Sequence, residues 1–385
     1  MTPTTTSDAP ASFLASPPLA SSSSPAVGSA EPNARSPRER ATSDFTALTQ
    51  QVHAAGLMRR RYGYYWTKLL VAALALSGWT VGFVWLGDSW WQLANAVVLA
   101  LVLTQVAFLG HDAAHRQIFA SGRWNDWTSL VVTNLFVGIS HGWWRGKHNR
   151  HHAAPNKEGA DPDIALSAVA MTPAMANRHT NPLLAWLTAR QGWYFFPLLC
   201  LEGLSLHVSG VRRVLDRRTA AERRWVEALF LAVRLGGLLA LVFWVLPPGM
   251  GVAFLAVQLG VFGFYLGAAF APNHIGMPLV SARLKLDFLR RQVLVSRNIS
   301  GGPVMSVLMG GLDLQIEHHL FPSMARPHLR KVAPLVRAHC ATIGVPYTQT
   351  TLLQSYGQVT RYLNTVGLKG RDPFLCPLVA QRRAS

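Results

Sequence analysis

Four long apolar runs dominate the pattern of hydrophobic and polar positions along the chain. The first, residues 69–86, contains no charged residue, and a short Gly-Asp-Ser bend separates it from the second, residues 90–110. A second pair follows at residues 226–246 and 250–271, joined through a Pro-Pro-Gly turn. Each run is about long enough to cross a hydrocarbon core of roughly 30 Å as a helix. The pattern therefore predicts four transmembrane helices, which the short connections arrange as two hairpins.

Two further apolar stretches do not fit a simple span. Residues 127–139 form a short stretch, and residues 182–206 include the charged Arg190. Each is expected to lie along the membrane interface or to pack against the helical bundle rather than to cross the membrane. Tryptophan and tyrosine within and near these stretches suit the headgroup region, where amphipathic rings settle.

The two ends of the chain differ in composition from the apolar middle. Residues 1–45 are dominated by Thr, Ser, Ala and Pro, and such a segment cannot bury enough apolar surface to offset its ordering entropy. We therefore expect a disordered tail over 1–45, one membrane domain over 46–365, and a C-terminal tail over 366–385. No apolar run preceded by positive charge occurs in the first tail, so it makes a poor secretory signal.

Composition and charge agree with a membrane protein. Half of the residues are hydrophobic and only 14% are charged, yet the formal net charge is +18. Soluble domains carry about 25% charged residues, and a nucleic-acid-binding protein with such an excess of positive charge would be rich in charge overall. Three cysteines without CxxC spacing argue against a disulfide scaffold. The composition excludes a nucleic-acid partner and favours an all-α protein of the lipid bilayer.

The basic residues outside the spans indicate the orientation of the protein. They cluster before the first run, before the third and after the fourth, whereas the two short turns contain no Lys or Arg. Cytoplasmic loops of membrane proteins carry an excess of positive charge. Both termini and the long loops are therefore expected on the cytosolic side, and the protein is expected to be multi-pass. The residues concerned are Arg59, Arg60, Arg61, Lys68, Arg212, Arg213, Arg217, Arg218, Arg223, Arg224, Arg283, Lys285, Arg290 and Arg291.

Eight of the fourteen histidines occur in four short clusters, each on the predicted cytosolic side of a helix. Histidines three or four residues apart share one helical face and can bind one metal ion or bracket two. A single such pair arises by chance, but four clusters converging on one side of one bundle indicate a metal site. The clusters are His111 and His115; His148, His151 and His152; His274; and His318 and His319, with Gln315 preceding the last pair.

The number and type of ligands narrow the choice of metal. A structural zinc site needs four ligands and prefers thiolates, and a catalytic zinc site needs about three. Eight imidazoles and one amide exceed the coordination of a single ion and suit two. Redox-active iron with open positions for oxygen fits an imidazole-rich site, and the absence of cysteine near the clusters argues against iron–sulfur chemistry. The pattern favours a di-iron centre.

Several polar residues near the clusters have two interpretations each. His207 could face the metal site or donate a hydrogen bond to a nearby backbone carbonyl oxygen. Asp161 and Asp163 could orient ligand imidazoles as hydrogen-bond acceptors, or belong to a solvated turn around a proline. Asp112 and Glu317 lie inside clusters but point off the ligand face, so that hydrogen bonding behind the ligands is the better interpretation for both.

The sequence resembles the membrane fatty acid desaturase family. The resemblance rests on three histidine boxes, on their order and on the intervening pairs of helices, and it covers roughly residues 60–365. The third box looks like that of front-end desaturases and their bacterial acyl-CoA or acyl-lipid relatives. The boxes are His111-Asp112-Ala113-Ala114-His115, Lys147-His148-Asn149-Arg150-His151-His152 and Gln315-Ile316-Glu317-His318-His319-Leu320-Phe321-Pro322.

The resemblance implies a fold, a ligand set and a chemistry. Four transmembrane helices would lie under a cytosolic helical cap that holds two irons, with the eight clustered histidines as ligands. Gln315 stands where many members have histidine, and it could coordinate through its amide oxygen, hydrogen-bond a bound water or not touch metal. The implied reaction uses O2 and two electrons to introduce a cis double bond into a long acyl chain, carried by coenzyme A or by a lipid. The membrane would be the bacterial inner membrane.

The chain departs from many eukaryotic front-end desaturases because it contains no HPGG haem motif. Electrons are therefore expected from a separate partner, such as a ferredoxin or a flavin reductase. The arginine-rich loops suit an acidic donor or the phosphates of an acyl-CoA, and equally suit anionic lipid.

Two other kinds of protein compete with a desaturase. A fatty acid or hydrocarbon hydroxylase or ketolase would use the same histidine framework and differ only in delivering oxygen to the substrate. A metal transporter or a lipid-binding receptor would be non-enzymatic. Transport requires ionisable residues at the middle of the bilayer, whereas here the spans are nearly free of them and the histidines lie at helix ends. The form of the third box favours desaturation by resemblance alone.

Overall fold

The computed structural model describes residues 37–165, 168–178, 181–218 and 223–368, and these are predominantly helical, as the predicted all-α class requires. Two three-residue strands, β1 (Asn298–Ser300) and β2 (Gln349–Thr351), pair in parallel. The helices are α1 (Pro37–Ala54), α2 (Tyr62–Leu86), α3 (Trp91–Ala114), α4 (Gly122–Leu130), a π-helix (Val131–Val137), α5 (His141–Ala153), α6 (Pro173–Ala176), α7 (Pro182–Thr188), α8 (Gln191–Leu199), α9 (Glu202–Leu215), α10 (Arg224–Val245), α11 (Pro248–His274), α12 (Phe288–Leu294), α13 (Gly302–Leu308), a 3-10 helix (Leu312–Leu314), α14 (Gln315–Leu320), α15 (Arg326–Thr342) and α16 (Leu352–Gly367).

Four helices, α2, α3, α10 and α11, are long and apolar enough to cross a membrane. They have 25, 24, 22 and 27 residues, and one coincides with each predicted run. The prediction of four membrane-spanning helices is therefore confirmed. Their arrangement as hairpins and the cytosolic orientation of the loops stay predictions.

Exposed tryptophans mark the two edges of the apolar belt. Trp66 and Trp85 on α2 are nineteen residues apart, and Trp225 and Trp244 on α10 have the same separation. At 1.5 Å per residue this separation is about 28 Å, which matches the thickness of a hydrocarbon core. His111 lies twenty residues after the exposed Trp91 on α3, so it falls at the edge of this belt.

The two helices that end in histidines are the inner pair of the bundle. In the most apolar window of each helix, 50% of the residues of α3 and 39% of those of α11 are buried, against 11% for both α2 and α10. The core includes Leu99, Leu103, Phe254 and Phe262 from the inner pair. Because α3 and α11 pack against each other, their ends bring two histidine clusters together at one edge of the belt.

The two ambiguous stretches lie beside the bundle at this same edge. Residues 127–139 include the π-helix, in which Thr133 packs so closely on α3 that a Cβ at Gly110 would lie 2.5 Å from the Thr133 methyl. Residues 182–206 form α7, α8 and the start of α9, with a 65° bend between α8 and α9. A stripe of exposed apolar side chains follows the outer side of α9 at a spacing of three to four residues, as expected for a helix that faces lipid. The stripe includes Leu201, Leu204, Val208 and Leu215.

A second core holds the cap together on the histidine side. It joins α1, α12, α14 and α15 around buried residues that include Leu48, Val293, Ile316 and Val336. Because α1 begins at Pro37, the end of the predicted disordered tail, residues 37–45, is helical, and the predicted boundary at residue 45 falls within this helix. Residues 1–36 and 369–385, which contain most of both predicted tails, lie outside the described residues.

The contact between α9 and α11 depends on two glycines, which yields a first prediction. A Cβ at Gly263 would lie 2.3 Å from the backbone nitrogen of Gly203 and 2.7 Å from the carbonyl oxygen of Leu199. We expect Gly263→Ala to lower the stability of the folded protein by about 1–3 kcal/mol, because the backbones must separate. Thermal unfolding in detergent measures the loss.

The matched control lies three residues away on the same helix. At Gly260 the nearest atom to an added Cβ is that of Cys200, at 3.9 Å, which is an ordinary contact. Gly260→Ala should leave the stability unchanged or raise it slightly, since alanine favours a helix more than glycine does. Equal loss of stability in both variants would contradict the close packing described for Gly263.

Candidate metal centre

The first histidine cluster lies where α3 ends. His111 is in the last turn of α3 and His115 directly follows it, with ring centroids 4.6 Å apart. His111 is fully buried, and Trp144 contacts its ring at 5.5 Å. The spacing of four residues places both imidazoles on the same face, as the sequence predicted.

The second cluster is carried by α5, whose start is fixed by a buried carboxylate. Glu227 accepts hydrogen bonds from the Ser140 hydroxyl at 2.5 Å and from the Gly142 backbone N–H at 3.1 Å. A negative charge at the N-terminus of a helix satisfies its free N–H groups and complements its dipole. This cap holds the helix that presents His148, His151 and His152.

The third cluster and His274 come from opposite sides. His274 ends α11, whereas Gln315, His318 and His319 lie on the short helix α14 in the cap. The cap and the transmembrane bundle thus each contribute candidate ligands, which lie between them. All four predicted clusters meet there.

The imidazoles divide into two groups. One ring nitrogen from each of His111, His115, His148 and His318 can lie within 4.8 Å of the others, and a second such group consists of His151, His274 and His319. His152 lies between the groups. Its Nε2 is 3.0 Å from Nε2 of His148, and its ring stacks on His319 with centroids 4.2 Å apart.

Gln315 borders the second group. Its Nε2 lies 2.9 Å from Nε2 of His274, and its Oε1 accepts a hydrogen bond from the Asn273 amide at 3.3 Å. The side chain is buried, so its amide faces the imidazoles rather than solvent. A role as ligand or as near neighbour of a ligand stays a prediction.

The residues present fit bound cations. Nε2 of His111 and Nε2 of His318 are buried without a hydrogen-bond partner among the described residues. Nε2 of His148 approaches Nε2 of His115 to 2.9 Å, and Nε2 of His274 approaches Nε2 of His319 to 3.1 Å. Unpaired buried nitrogens are costly, and a metal ion within each group would satisfy them.

The protonation of the rings also suits metal binding. Burial lowers the pKa values of these histidines well below the ordinary range, and the neighbouring imidazoles lower them further. The neutral imidazole is the form that binds metal, so these five rings can bind metal at neutral pH without losing a proton. The histidines concerned are His115, His148, His152, His318 and His319.

Asp161 and Asp163 support His151 from behind. Nδ1 of His151 lies 3.0 Å from Asp161 and 3.3 Å from Asp163, which leaves its Nε2 for the second group. Burial alone would lower the pKa of His151, but the hydrogen bond to Asp161 and the charges of both aspartates raise it. Asp161 also accepts a hydrogen bond from the backbone N–H of Asn156 at 2.7 Å, so its carboxylate stabilises the turn that follows α5.

This contact yields a second prediction. Asp161 is almost fully buried, whereas the side chain of Asp163 is 40% exposed. Since a carboxylate behind a histidine ligand fixes its tautomer, we expect Asp161→Asn to weaken metal binding about 10- to 100-fold. Asp163→Asn, the matched control, should cost clearly less. Titration of the purified variants with Fe2+ measures both, and an equal or reversed order would contradict the assigned role of Asp161.

Asp112 and Glu317 have buried partners behind the clusters. Asp112 lies 3.5 Å from Nδ1 of His111 and forms an ion pair with Arg326 at 2.7 Å. Glu317 accepts hydrogen bonds from Asn298 and from the Tyr347 hydroxyl, both at 2.7 Å. Asp112 therefore faces a predicted ligand, whereas the contacts of Glu317 orient its helix.

His207 lies apart from both groups. Its Nδ1 is 2.5 Å from the Gly203 carbonyl oxygen, and its ring contacts Phe262. This is the local carbonyl contact that the sequence left open as an alternative, and His207 belongs to neither candidate group of ligands.

Sequence reasoning missed several residues that hold the ligands. Arg326 pairs with Asp112, and the Gln292 amide oxygen lies 2.9 Å from Nδ1 of His319. The Val295 carbonyl oxygen lies 3.0 Å from Nδ1 of His274. None of these residues has a characteristic spacing to its partner, so no pattern in the sequence marks them.

An apolar cavity of about 240 Å³ passes beside the histidines. Its apolar lining comes from the inner transmembrane helices and the α8–α9 segment, and also from the chain before α6, the chain after α11, and α16. Lys147, Asp163 and Glu202 are polar residues of its wall. The lining includes the apolar residues Ala107, Leu199, Leu206, Leu266, Ile164, Met171, Leu279 and Tyr362, and also His111, His148, His151, His274 and Gln315.

Comparisons with known proteins find relatives in one family. The family model described as fatty acid desaturase matches residues 88–351. The chain is 27% identical over 350 residues to a Delta(8)-fatty-acid desaturase of Helianthus annuus, covering 86% of this chain and 74% of that protein. It is 31% identical over 319 residues to the Delta(5) fatty acid desaturase fat-4 of Caenorhabditis elegans, covering 79% and 69%. It is 28% identical over 348 residues to an acyl-lipid (9-3)-desaturase of Borago officinalis, covering 86% and 76%.

The matched region includes all the histidine clusters and three of the four candidate spans in full. The chain belongs to the fatty acid desaturase family. The resemblance noted in the sequence is thereby confirmed.

Proposed function

We propose that this protein is an O2-dependent fatty acyl desaturase that introduces a cis double bond into a long acyl chain at a di-iron centre. The observation that carries the proposal is the position of seven buried or half-buried histidines in two groups, with His152 between them, beside an apolar cavity in a chain of this family. His111, His115, His148 and His318 would hold one iron, and His151, His274 and His319 the other. His152 lies where it could serve either, and Gln315 would complete the second site.

The bound irons would supply the strong oxidation that an unactivated C–H bond requires and that side chains cannot perform. For each double bond, a –CH2–CH2– unit, one O2, two electrons and two protons become –CH=CH– and two water molecules. The protein contributes placement, because an acyl chain lying in the apolar cavity would hold one of its C–C bonds beside the histidines that line the same cavity. The neutral rings described above bind metal without first releasing protons.

The cavity wall positions the substrate and excludes water. Trp144 stacks on His148 with ring centroids 4.3 Å apart, and both residues line the cavity with Phe270. Such side chains leave little room for water near the centre, which protects a reactive site from side reactions. The apolar lining accepts methylenes from either an acyl-CoA or an acyl-lipid, and we propose that one of these is the substrate.

We place the protein in the bacterial inner membrane, with its histidines, long loops and both termini in the cytosol. The basic residues at the histidine side of α2, α10 and α11 support this orientation. Electrons would reach the centre from a separate donor such as a ferredoxin or a flavin reductase, which would approach the same face.

Expression in a host with a compatible reductase tests the proposed function. Gas chromatography of acyl chains, measured separately in the acyl-CoA and lipid fractions, should show new unsaturated chains that the empty vector does not produce. The fraction in which they first arise shows whether the substrate is an acyl-CoA or an acyl-lipid. Hydroxylated chains would favour a hydroxylase on the same framework, and an unchanged profile with iron and a working donor present would contradict both activities.

A further inference from the structure

A polar pocket lies on the surface of the cap, apart from the acyl cavity. The pairing of β1 with β2 places Tyr347, just before β2, beside Asn298, and this arrangement forms the pocket wall. Within the described chain, the pocket shares no lining residue with the acyl cavity. A partner bound here would therefore leave the substrate site free. The pocket residues include Ser300, Arg337, Tyr347, Gln349, Thr351 and Gln354.

A short chain of contacts connects the pocket to the histidines. The half-buried Tyr347 lines the pocket, and its hydroxyl donates a hydrogen bond of 2.7 Å to the Glu317 carboxylate. Glu317 directly precedes His318, a member of the first group. One hydrogen bond and one peptide unit thus connect a side chain of the pocket to a predicted ligand.

The segment that contributes most of the pocket residues carries only positive charge. From residue 326 to residue 368 the chain contains Arg and Lys but no Asp or Glu. The exposed Arg337 stacks on the Tyr347 ring, with its guanidinium carbon 4.9 Å from the ring centroid, and it hydrogen-bonds Gln349. Within this segment, Lys331 on α15 and Arg361 on α16 are also exposed. Such a surface attracts an acidic partner and repels a basic one.

We propose that this pocket is the docking surface for an acidic one-electron carrier protein, with Tyr347 and Glu317 as the connection to the metal centre. The inference rests on the proposed function, because desaturation needs two electrons that the acyl chain and O2 do not supply. The carrier delivers them one at a time and is itself oxidised. The two protons come from solvent and leave in the two water molecules formed.

Charge reversal at Arg337 tests the docking surface without reference to turnover. A plant-type ferredoxin of net negative charge serves as the probe, and its binding to the full chain in neutral lipid nanodiscs is measured against salt concentration. Arg337→Glu should weaken binding about tenfold or more at low salt and reduce its salt dependence. The matched control, Arg283→Glu, reverses an exposed arginine in the loop between α11 and α12 and should have little effect. Equal effects of the two variants, or no effect of Arg337→Glu, would overturn the docking site.

The electron connection is tested by comparing two reductants in the iron-loaded protein. Turnover driven by ferredoxin is divided by turnover driven by reduced methyl viologen, a small molecule that does not need a protein docking site. Tyr347→Phe, which removes only the hydroxyl, should lower this ratio while ferredoxin still binds. An unchanged ratio would overturn the role of Tyr347. Failure of the wild-type protein to form a double bond with either reductant would instead count against the proposed function, while the binding measurement would still decide the docking site.

Discussion

His318→Ala is expected to reduce the formation of unsaturated acyl chains to the level of the host alone and to remove metal from the first histidine group. Nε2 of His318 is buried without a hydrogen-bond partner among the described residues, and its ring lies 4.8 Å from that of His111 and from that of His115. A group of four imidazoles that loses one keeps too few ligands for a closed site. Metal analysis should fall from about two irons per chain to about one or fewer, because His318 is not a member of the second group.

The matched control for this prediction is His207→Ala. His207 is also buried and also lies near the histidine edge of the bundle, but its ring faces the Gly203 carbonyl and Phe262. This variant should keep the iron content of the wild-type protein, whatever its effect on packing. Loss of iron in His207→Ala, or full iron content in His318→Ala, would contradict the assignment of the two histidines.

Arg326→Met is expected to cost about 3–5 kcal/mol of stability, because it leaves the carboxylate of Asp112 buried without its cation. Asp112 lies 2.7 Å from the Arg326 guanidinium, and both side chains are nearly fully buried. Arg326 also donates a hydrogen bond to the Phe108 carbonyl at 2.8 Å. The charge of Asp112 helps to raise the pKa of the guanidinium against the effect of burial, so the arginine stays charged. Thermal unfolding of the metal-free protein in detergent separates this loss from any effect on iron.

Lys331→Met is the control for the arginine substitution. Lys331 lies on the same helix but is exposed, and substitutions of that kind usually change stability by less than about 0.5 kcal/mol. A loss below about 1 kcal/mol in Arg326→Met would mean that the buried pair contributes no more than an exposed one. Such a result would contradict the arrangement behind His111.

The helices of the membrane could be predicted because lipid imposes a strong pattern on sequence. Residues 250–271 were expected as a span, and α11 extends this run by a few residues at each end. The first span begins earlier than expected, at Tyr62, because Lys68 can extend to the headgroups and does not end the helix. The π-helix was not predictable, because no apolar period in the sequence distinguishes it from an α-helix.

The ligands of the candidate site could also be predicted, because histidines on one helical face show as spacings of three or four residues. The residues that hydrogen-bond or pair with those ligands could not be predicted. Arg326 and Asp112 are more than two hundred positions apart in sequence, and only the fold brings them together. Glu227 did carry a signal, because a carboxylate near the start of an apolar span needs a compensating partner. Its partners, Ser140 and Gly142, lie more than eighty positions away in the sequence, and only the fold brings the start of α5 to the carboxylate.

We infer that the metal centre removes two hydrogens from a saturated acyl chain without adding oxygen to it. Iron-loaded protein in nanodiscs, supplied with a saturated acyl substrate, reduced methyl viologen and 18O2, tests this claim by mass spectrometry of the acyl product. We expect a product that lacks two hydrogens and contains no 18O, with the label recovered in water. An acyl chain that retains 18O in a hydroxyl group, or an unaltered chain despite two bound irons and reductant, would contradict it.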